Sequence, residues 1–176
     1  MSRELTDLIR TIPDFPRPGI QFRDITPLLL DGPGFAHAIA RMAKQVVTPP
    51  HLIAAIEARG FLFAAALAHS LGCGLVLLRK RNKLPGRVIG INYALEYGED
   101  RLEMQADAFS PGADVLLIDD LIATGGTALA AIELLRAAGA SVTRAGFVID
   151  LPDLGGAGRL RAAGVSVDTL VSYPGH

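Results

Sequence analysis

A single cysteine, Cys73, stands among 176 residues, so the chain cannot close a disulfide within itself. The apolar neighbours of Cys73 mark a buried thiol rather than a nucleophile. No apolar run is long enough to span a bilayer, although half of the residues are hydrophobic. With a net charge of −1, the chain has no global attraction for nucleic acid or acidic membranes, so neither is an expected partner. Met1 to Glu4 opens a charged amphipathic segment without the apolar core of a signal peptide, which makes the cytoplasm the expected location. His37, His51 and His69 lack metal-ligand spacing and His176 is terminal, so no histidine is expected to hold a metal. Repeats, low-complexity tracts and linkers are missing too. Residues 1–176 therefore read as one domain with a full core.

What is present centres on Val115 to Thr127 (VLLIDDLIATGGT). Val115 to Ile118 form a short apolar run of the kind buried in a parallel sheet. Asp119 and Asp120 follow where that strand should end. A turn of Ala123, Thr124, Gly125, Gly126 and Thr127 then leads into a strong helix former, Ala128 to Ala138, which Gly139 should stop. Backbone N–H groups of such a turn and helix N-terminus can cradle a phosphate, and the threonines add hydroxyl donors. There is no Gly-Lys-Ser/Thr and no G-x-G-x-x-G after a strand, so neither common phosphate loop is encoded here. Paired carboxylates would repel a triphosphate tail but suit ribose hydroxyls and a shared Mg²⁺. A ribose carrying a phosphate at one end fits both halves; the alternative is an acidic turn that merely caps a helix.

The rest of the chain supplies the surroundings. Ser2 to Thr11 reads as a short helix. The Pro- and Gly-rich run from Phe15 to Pro27 reads as an ordered loop packed on the body. Gly34 to Val47 is an amphipathic helix, ended by Thr48-Pro49-Pro50. Leu52 to Ile56 is a buried strand, turned by Glu57-Ala58-Arg59-Gly60 into the helix Phe61 to Ser70. An arginine at such a turn can fork two hydrogen bonds to a phosphate, or can simply pair with Glu57 at the surface. The strand Leu75 to Leu78 runs into Arg79-Lys80-Arg81-Asn82-Lys83, whose cations at a strand's carboxyl end suit a polyanion. Leu84 to Gly98 has little helix or strand pattern and reads as a lid. Strands are expected again at Arg101 to Ala106, Ala145 to Ile149 and Val165 to Val171, with a short helical piece at Arg159 to Ala163. The alternation predicts an α/β fold, a mostly parallel central sheet flanked by helices on both faces.

The central motif resembles the phosphoribosyl pyrophosphate (PRPP) signature of the type I phosphoribosyltransferases. Glu57 to Phe61 resembles that family's pyrophosphate loop, and Phe15 to Pro27 the hood of its adenine-specific members. The resemblance implies the type I fold, with a hood over approximately 1–33, a core over approximately 34–176 and a lid over approximately 82–100. It implies a homodimer that uses Mg²⁺ and converts adenine and PRPP into AMP and pyrophosphate in purine salvage. Asp119 and Asp120 would bind the ribose hydroxyls, directly or through Mg²⁺, and favour positive charge at C1′. Ala123 to Thr127 would hold the 5′-phosphate. Glu57, Ala58, Arg59, Arg79, Lys80 and Lys83 would face the pyrophosphate, Arg79 matching a position that can serve the partner subunit. A cis peptide is implied between Glu57 and Ala58.

Glu96 matches the carboxylate that exchanges a proton with the base, and Tyr97 would shape the closed lid. Phe22 would stack on adenine and Leu151 cover its other face, while the Gln21 carbonyl and the Arg23 amide read the ring edge. Three departures from the family pattern stand out: Asn82 and Ala64 replace frequent glycines, and Asp150-Leu151-Pro152-Asp153 carries an unusual proline. A family member for another base should change the hood. A relative that senses PRPP and regulates nucleic acid should carry a basic face or an added DNA-binding motif. This chain does neither.

Overall fold

The computed structural model describes residues 4–95 and 98–175, without the side chain of Leu95. Glu96 and Tyr97, assigned above to proton transfer and the lid, lie outside the described residues. The chain begins with a 3₁₀ turn at Leu5–Leu8 and the strands β1 (Arg10–Pro13) and β2 (Gln21–Asp24). The helices α1 (Thr26–Leu30) and α2 (Gly32–Gln45) come next, followed by β3 (Leu52–Ile56), α3 (Gly60–Leu71) and β4 (Gly74–Lys80). The remaining elements are β5 (Val88–Leu95), β6 (Gly98–Gln105), β7 (Asp114–Ile122), α4 (Gly126–Ala137), β8 (Ser141–Asp150), α5 (Gly156–Ala162) and β9 (Ser166–Ser172).

Seven strands form one sheet in the order β5-β6-β4-β3-β7-β8-β9. The five from β4 to β9 in that order run parallel, while β6 pairs antiparallel with both β4 and β5. Side chains alternate between two cores, as strand geometry requires. Ala54, Ile56 and Leu117 face one core with Ala131 and Leu135 of α4. Ile53, Ala55 and Ile118 face the other with Met42 of α2, Phe63 and Leu67 of α3, and Leu5, Leu8 and Leu28 from the N-terminal region. Helices cover both faces, which explains why β3 and β7 read as unbroken apolar runs.

Connections place the site. From β3 the chain crosses to β4 on one side; from β7 it crosses to β8 on the other. The order therefore reverses between β3 and β7, and a crevice opens there beyond the strand ends. Pairing of β3 with β7 stops at Ala55 and Ile118, whereas β7 stays paired with β8 as far as Ile122 and Asp150. Consequently β7 runs on through Asp119 and Asp120, four residues beyond the apolar run.

Three expectations are corrected. Ser2 to Thr11 is not one helix: Arg10–Pro13 leaves the 3₁₀ turn as a strand and pairs with β2. The hood run is correspondingly not all loop, since Gln21–Asp24 is that partner strand. Most of the described part of the expected lid is an antiparallel hairpin, β5 with β6, in register from Val88 opposite Gln105 to Leu95 opposite Gly98. Gly90 within β5 serves a close approach: a Cβ there would stand 2.7 Å from the Leu102 carbonyl oxygen. Asn82, where a glycine is frequent, adopts the left-handed conformation at φ 62°, which asparagine tolerates, and donates its N–H to Glu103.

Candidate active site

A cavity of about 270 Å³ opens at the β3–β7 reversal, lined by Glu57, Ala58, Arg59, Lys80 and residues 119–128. Asp119 and Asp120 sit deep in it. Asp119 Oδ1 accepts the Asp120 N–H at 2.9 Å, which fixes one carboxylate against its own strand. Asp120, 5 % exposed, forms an ion pair with Arg59, Nε to Oδ2 2.8 Å. Burial and then the Asp120 charge push Asp119 well above the usual carboxylate range. Burial also raises Asp120, against the pull of Arg59. The two carboxylates have one cation, Arg59, in direct contact, a shortage of positive charge that a metal or a developing cation would relieve.

The turn after β7 has a backbone that could cradle a phosphate. Gly125 takes φ +82° at the N-cap of α4, and the 12-residue helix then aims its first N–H groups at the cavity mouth. The loop's carbonyls are held from behind: Gly156 N–H donates to the Ala123 carbonyl at 3.0 Å, and Arg159 Nη1 to the Thr124 carbonyl at 2.9 Å. A Cβ on Gly156 would stand 2.3 Å from that Ala123 oxygen and 2.8 Å from Gly125 N. The start of α5 is thus packed directly on the loop.

The cations divide into groups. Arg59 and Lys80 line the cavity, but Arg79 does not. It forks onto Glu57 instead, Nη2 to Oε1 3.0 Å and Nε to Oε2 3.2 Å, and its Nη1 donates to the Lys83 carbonyl. Lys80 N–H completes the Glu57 carboxylate at 2.8 Å. Burial opposes the charge of Glu57, yet the bonds from Arg79 and Lys80 outweigh it and hold the carboxyl below its ordinary range. The surface pairing of Arg59 with Glu57, the alternative above, is therefore not what forms. The Lys80 ammonium bonds Asp100 of the hairpin and the Tyr93 hydroxyl. Burial opposes its charge too, but these partners raise it above its ordinary value. Lys83 is exposed and outside the cavity lining. The Glu57–Ala58 peptide is cis, as the resemblance implies.

The base-side residues stand apart from this cavity. Gln21, Phe22 and Arg23 lie half-buried on β2, one strand of a two-stranded sheet, and Gln21 and Arg23 share one of its edges. Phe22 meets Phe15 edge-on at 5.1 Å, and the Arg59 guanidinium lies 5.3 Å from its ring centroid. Arg59 is the link between hood and cavity. Leu151, 7 % exposed, is buried at the end of β8, its N–H on the Ile122 carbonyl at 3.0 Å.

Sequence reasoning missed Asp100, Gly156 and Arg159, and named Gly60 only as part of the pyrophosphate loop. The pair Gly155-Gly156 before a helix was the available signal for the loop support. No group of three metal-ligating side chains occurs among the described residues. Two adjacent carboxylates, Asp119 half-buried and Asp120 buried, nevertheless fit Mg²⁺, which commonly takes one or two protein carboxylates and completes its shell with water and substrate oxygens.

A model of the phosphoribosyl transferase domain matches residues 28–163. This chain belongs to the phosphoribosyl transferase family. Similarity extends well beyond the domain: the adenine phosphoribosyltransferase of Sphingopyxis alaskensis is 57 % identical over 173 residues, 98 % of this chain and 94 % of that one. The crystal structure of adenine phosphoribosyltransferase from Thermoanaerobacter pseudethanolicus superposes with a TM-score of 0.91 at 44 % identity, covering 96 % of this chain and 98 % of that one. The Saccharomyces cerevisiae enzyme, solved with an iminoaltritol bisphosphate and adenine, gives 0.90 at 36 % identity, covering 95 % and 96 %. The mostly parallel sheet flanked by helices is accordingly the type I phosphoribosyltransferase fold.

Proposed function

We propose that the chain transfers the 5-phosphoribosyl group from PRPP to adenine, giving AMP and pyrophosphate in purine salvage. One observation carries this reading: a buried carboxylate pair, a phosphate cradle and an arginine converge on one cavity at the sheet's reversal point. The amides of Ala123 to Thr127 hold the 5′-phosphate. Asp119 and Asp120 take the ribose hydroxyls and favour the positive charge that grows at C1′ as pyrophosphate leaves. Arg59 and Lys80 receive the leaving pyrophosphate, with Ala58 in the cavity wall and Lys83 nearby on the chain. Asp119 and Asp120 would hold Mg²⁺, which would supply positive charge to the departing oxygens. Adenine attacks C1′ itself, so no covalent nucleophile is needed, and Glu96 takes the N9 proton while Tyr97 helps to close the lid.

Selection of the base rests on the hood. Phe22 stacks on adenine and Leu151 covers the other face; the Gln21 carbonyl accepts from the 6-amino group and the Arg23 amide donates to N1. A 6-oxopurine reverses both partners. Each buried mismatch costs about 1–3 kcal/mol, so adenine should be preferred by roughly a hundredfold to several thousandfold. Pyrophosphate release, assayed in parallel with adenine, hypoxanthine and guanine, tests this directly; comparable efficiencies overturn it.

Two subunits work together in this reading. Leu62 of α3 and Leu75 and Leu77 of β4 are exposed by 45 %, 37 % and 38 %, and the two β4 leucines share a strand face with Arg79, apolar surface that suits a homodimer contact. Arg79, turned from its own cavity, is then placed to serve the neighbouring subunit. PRPP and AMP are highly charged and do not cross bilayers unaided, which favours a cytoplasmic location; no helix among the described residues is long and apolar enough to span a membrane.

A further inference from the structure

Five contacts tie the C-terminal tail, residues 173–175, to both sides of the base site. On the hood side, the Arg23 guanidinium lies 4.5 Å from the centroid of the Tyr173 ring, and Arg23 Nη2 donates to the Pro174 carbonyl at 3.4 Å. Tyr173 Oη donates to the Thr6 carbonyl at 3.3 Å, in the 3₁₀ turn that precedes β1. On the opposite side, Tyr173 N–H donates to the Asp150 carbonyl at 3.0 Å, and Gly175 N–H to Asp153 Oδ2 at 2.6 Å. Between those two acceptors lies Leu151. The tail thus spans from the strand carrying Gln21, Phe22 and Arg23 to the turn carrying Leu151, and no other described backbone segment contacts both through hydrogen bonds.

Arg23 depends on this attachment. Its Nε is buried without a hydrogen-bond partner, and its remaining contacts are the Thr11 hydroxyl, the Pro174 carbonyl and the Tyr173 ring. β2 belongs to a sheet of only two strands, which has little rigidity of its own. A reading edge built from backbone atoms discriminates only if that backbone is held to a fraction of an ångström.

We infer that Tyr173, with Gly175, is a positioning element for the purine: it clamps the hood strand to the turn after β8 and so sets the width and register of the base slot. This rests on the assignment of the base site to Phe22, Arg23 and Leu151. The clamp touches neither the phosphate cradle nor the carboxylate pair, so its loss should separate the two substrates. Tyr173→Ala removes the ring beneath Arg23 and should raise KM for adenine about three- to thirtyfold, the span expected for one cation–π contact. KM for PRPP should stay within about twofold, because none of its ligands is attached to the tail. Tyr173→Phe keeps the ring and loses only the bond to Thr6, so it should behave nearly as the unmodified protein.

Steady-state kinetics in both substrates, with melting curves for each variant, decide the matter. Equal rises in both KM values, an unchanged adenine KM, or a Phe variant as impaired as the Ala variant would each overturn the clamp. If Tyr173→Ala does not fold, Asp153→Ala decides by the same split, since it frees the tail at its other end. Absence of AMP formation by the unmodified protein overturns the site assignment and the clamp together. Normal turnover by that protein with no adenine-specific loss in the variants overturns the clamp alone.

Discussion

Gly60 stands so close to Asp119 that a Cβ on it would lie 2.6 Å from Asp119 Oδ1 and 3.2 Å from Asp119 Cα. The first residue of α3 is therefore packed on the strand that carries the acidic pair, and backbone atoms as well as side chain block any enlargement. Gly60→Ala should fold yet push Asp119 out of line. A displacement near 1 Å costs on the order of a hundredfold in turnover. Kinetics on the purified variant check this, and a kcat near that of the unmodified protein would refute the packing argument.

Asp119→Asn should be both less active and more stable. A carboxylic acid with a raised folded pKa binds its proton more tightly folded than unfolded, so its stabilising share is fully present at low pH and is lost as pH rises through that folded value. Asparagine removes this loss while keeping the oxygen that accepts the Asp120 N–H. The variant should melt higher than the unmodified protein at pH 8, by about 2–4 °C for each kcal/mol relieved, with the gap shrinking in acid. Activity should fall roughly 10²–10³-fold, as for loss of one preorganised transition-state partner. Paired melting curves at pH 8 and pH 5 provide the measurement.

Loss of support behind the phosphate cradle should be graded. Arg159→Ala deletes one hydrogen bond to the Thr124 carbonyl and should raise KM for PRPP by about two- to tenfold. Gly156→Ala sets a carbon against the Ala123 oxygen with backbone on both sides, so it should be far more damaging. An Arg159 variant as impaired as the Gly156 variant would show that the loop is not held in this way.

Hood stability should depend on acid through Asp24. Its carboxyl is lowered to about 2 by the Thr26 side chain and N–H and by Arg10, whose Nη2 lies 2.6 Å away. A depressed pKa contributes stability above the unfolded value of 3.8, lost as pH falls toward 2. Allowing for screening at Arg10, which is 60 % exposed, the contribution is about 1–2 kcal/mol. Urea unfolding of Asp24→Asn should show that deficit at pH 6 and little of it near pH 2.5. A deficit that persists undiminished in acid would place its origin elsewhere.

Strands buried on both faces were legible, because β3 and β7 lie between helices and need no polar side. The Gly-rich turn between β7 and α4 was legible for a different reason: adjacent glycines at a strand end mark a sharp turn into the helix that follows. The β5–β6 hairpin was not, since it lies at the sheet edge, where Gly90, Asn92 and the charged start of β6 break the alternation. The contacts of Arg159 with the loop and of Gly60 with Asp119 were invisible for a third reason. Their work depends on carbonyls and carboxylates 35 and 59 positions away, and no local pattern records such a meeting.

Three of the four cations assigned to the pyrophosphate already have an internal anion: Arg59 with Asp120, Arg79 with Glu57, Lys80 with Asp100. The site therefore behaves as an ion exchanger rather than as a positive trap. Long-range steering should be weak, and the encounter rate should vary little with ionic strength. A bare polyanion gains the arginines only by stranding their carboxylates. One that arrives with its own divalent cation satisfies both sides at once, so the pairing itself discriminates between free and metal-complexed phosphates.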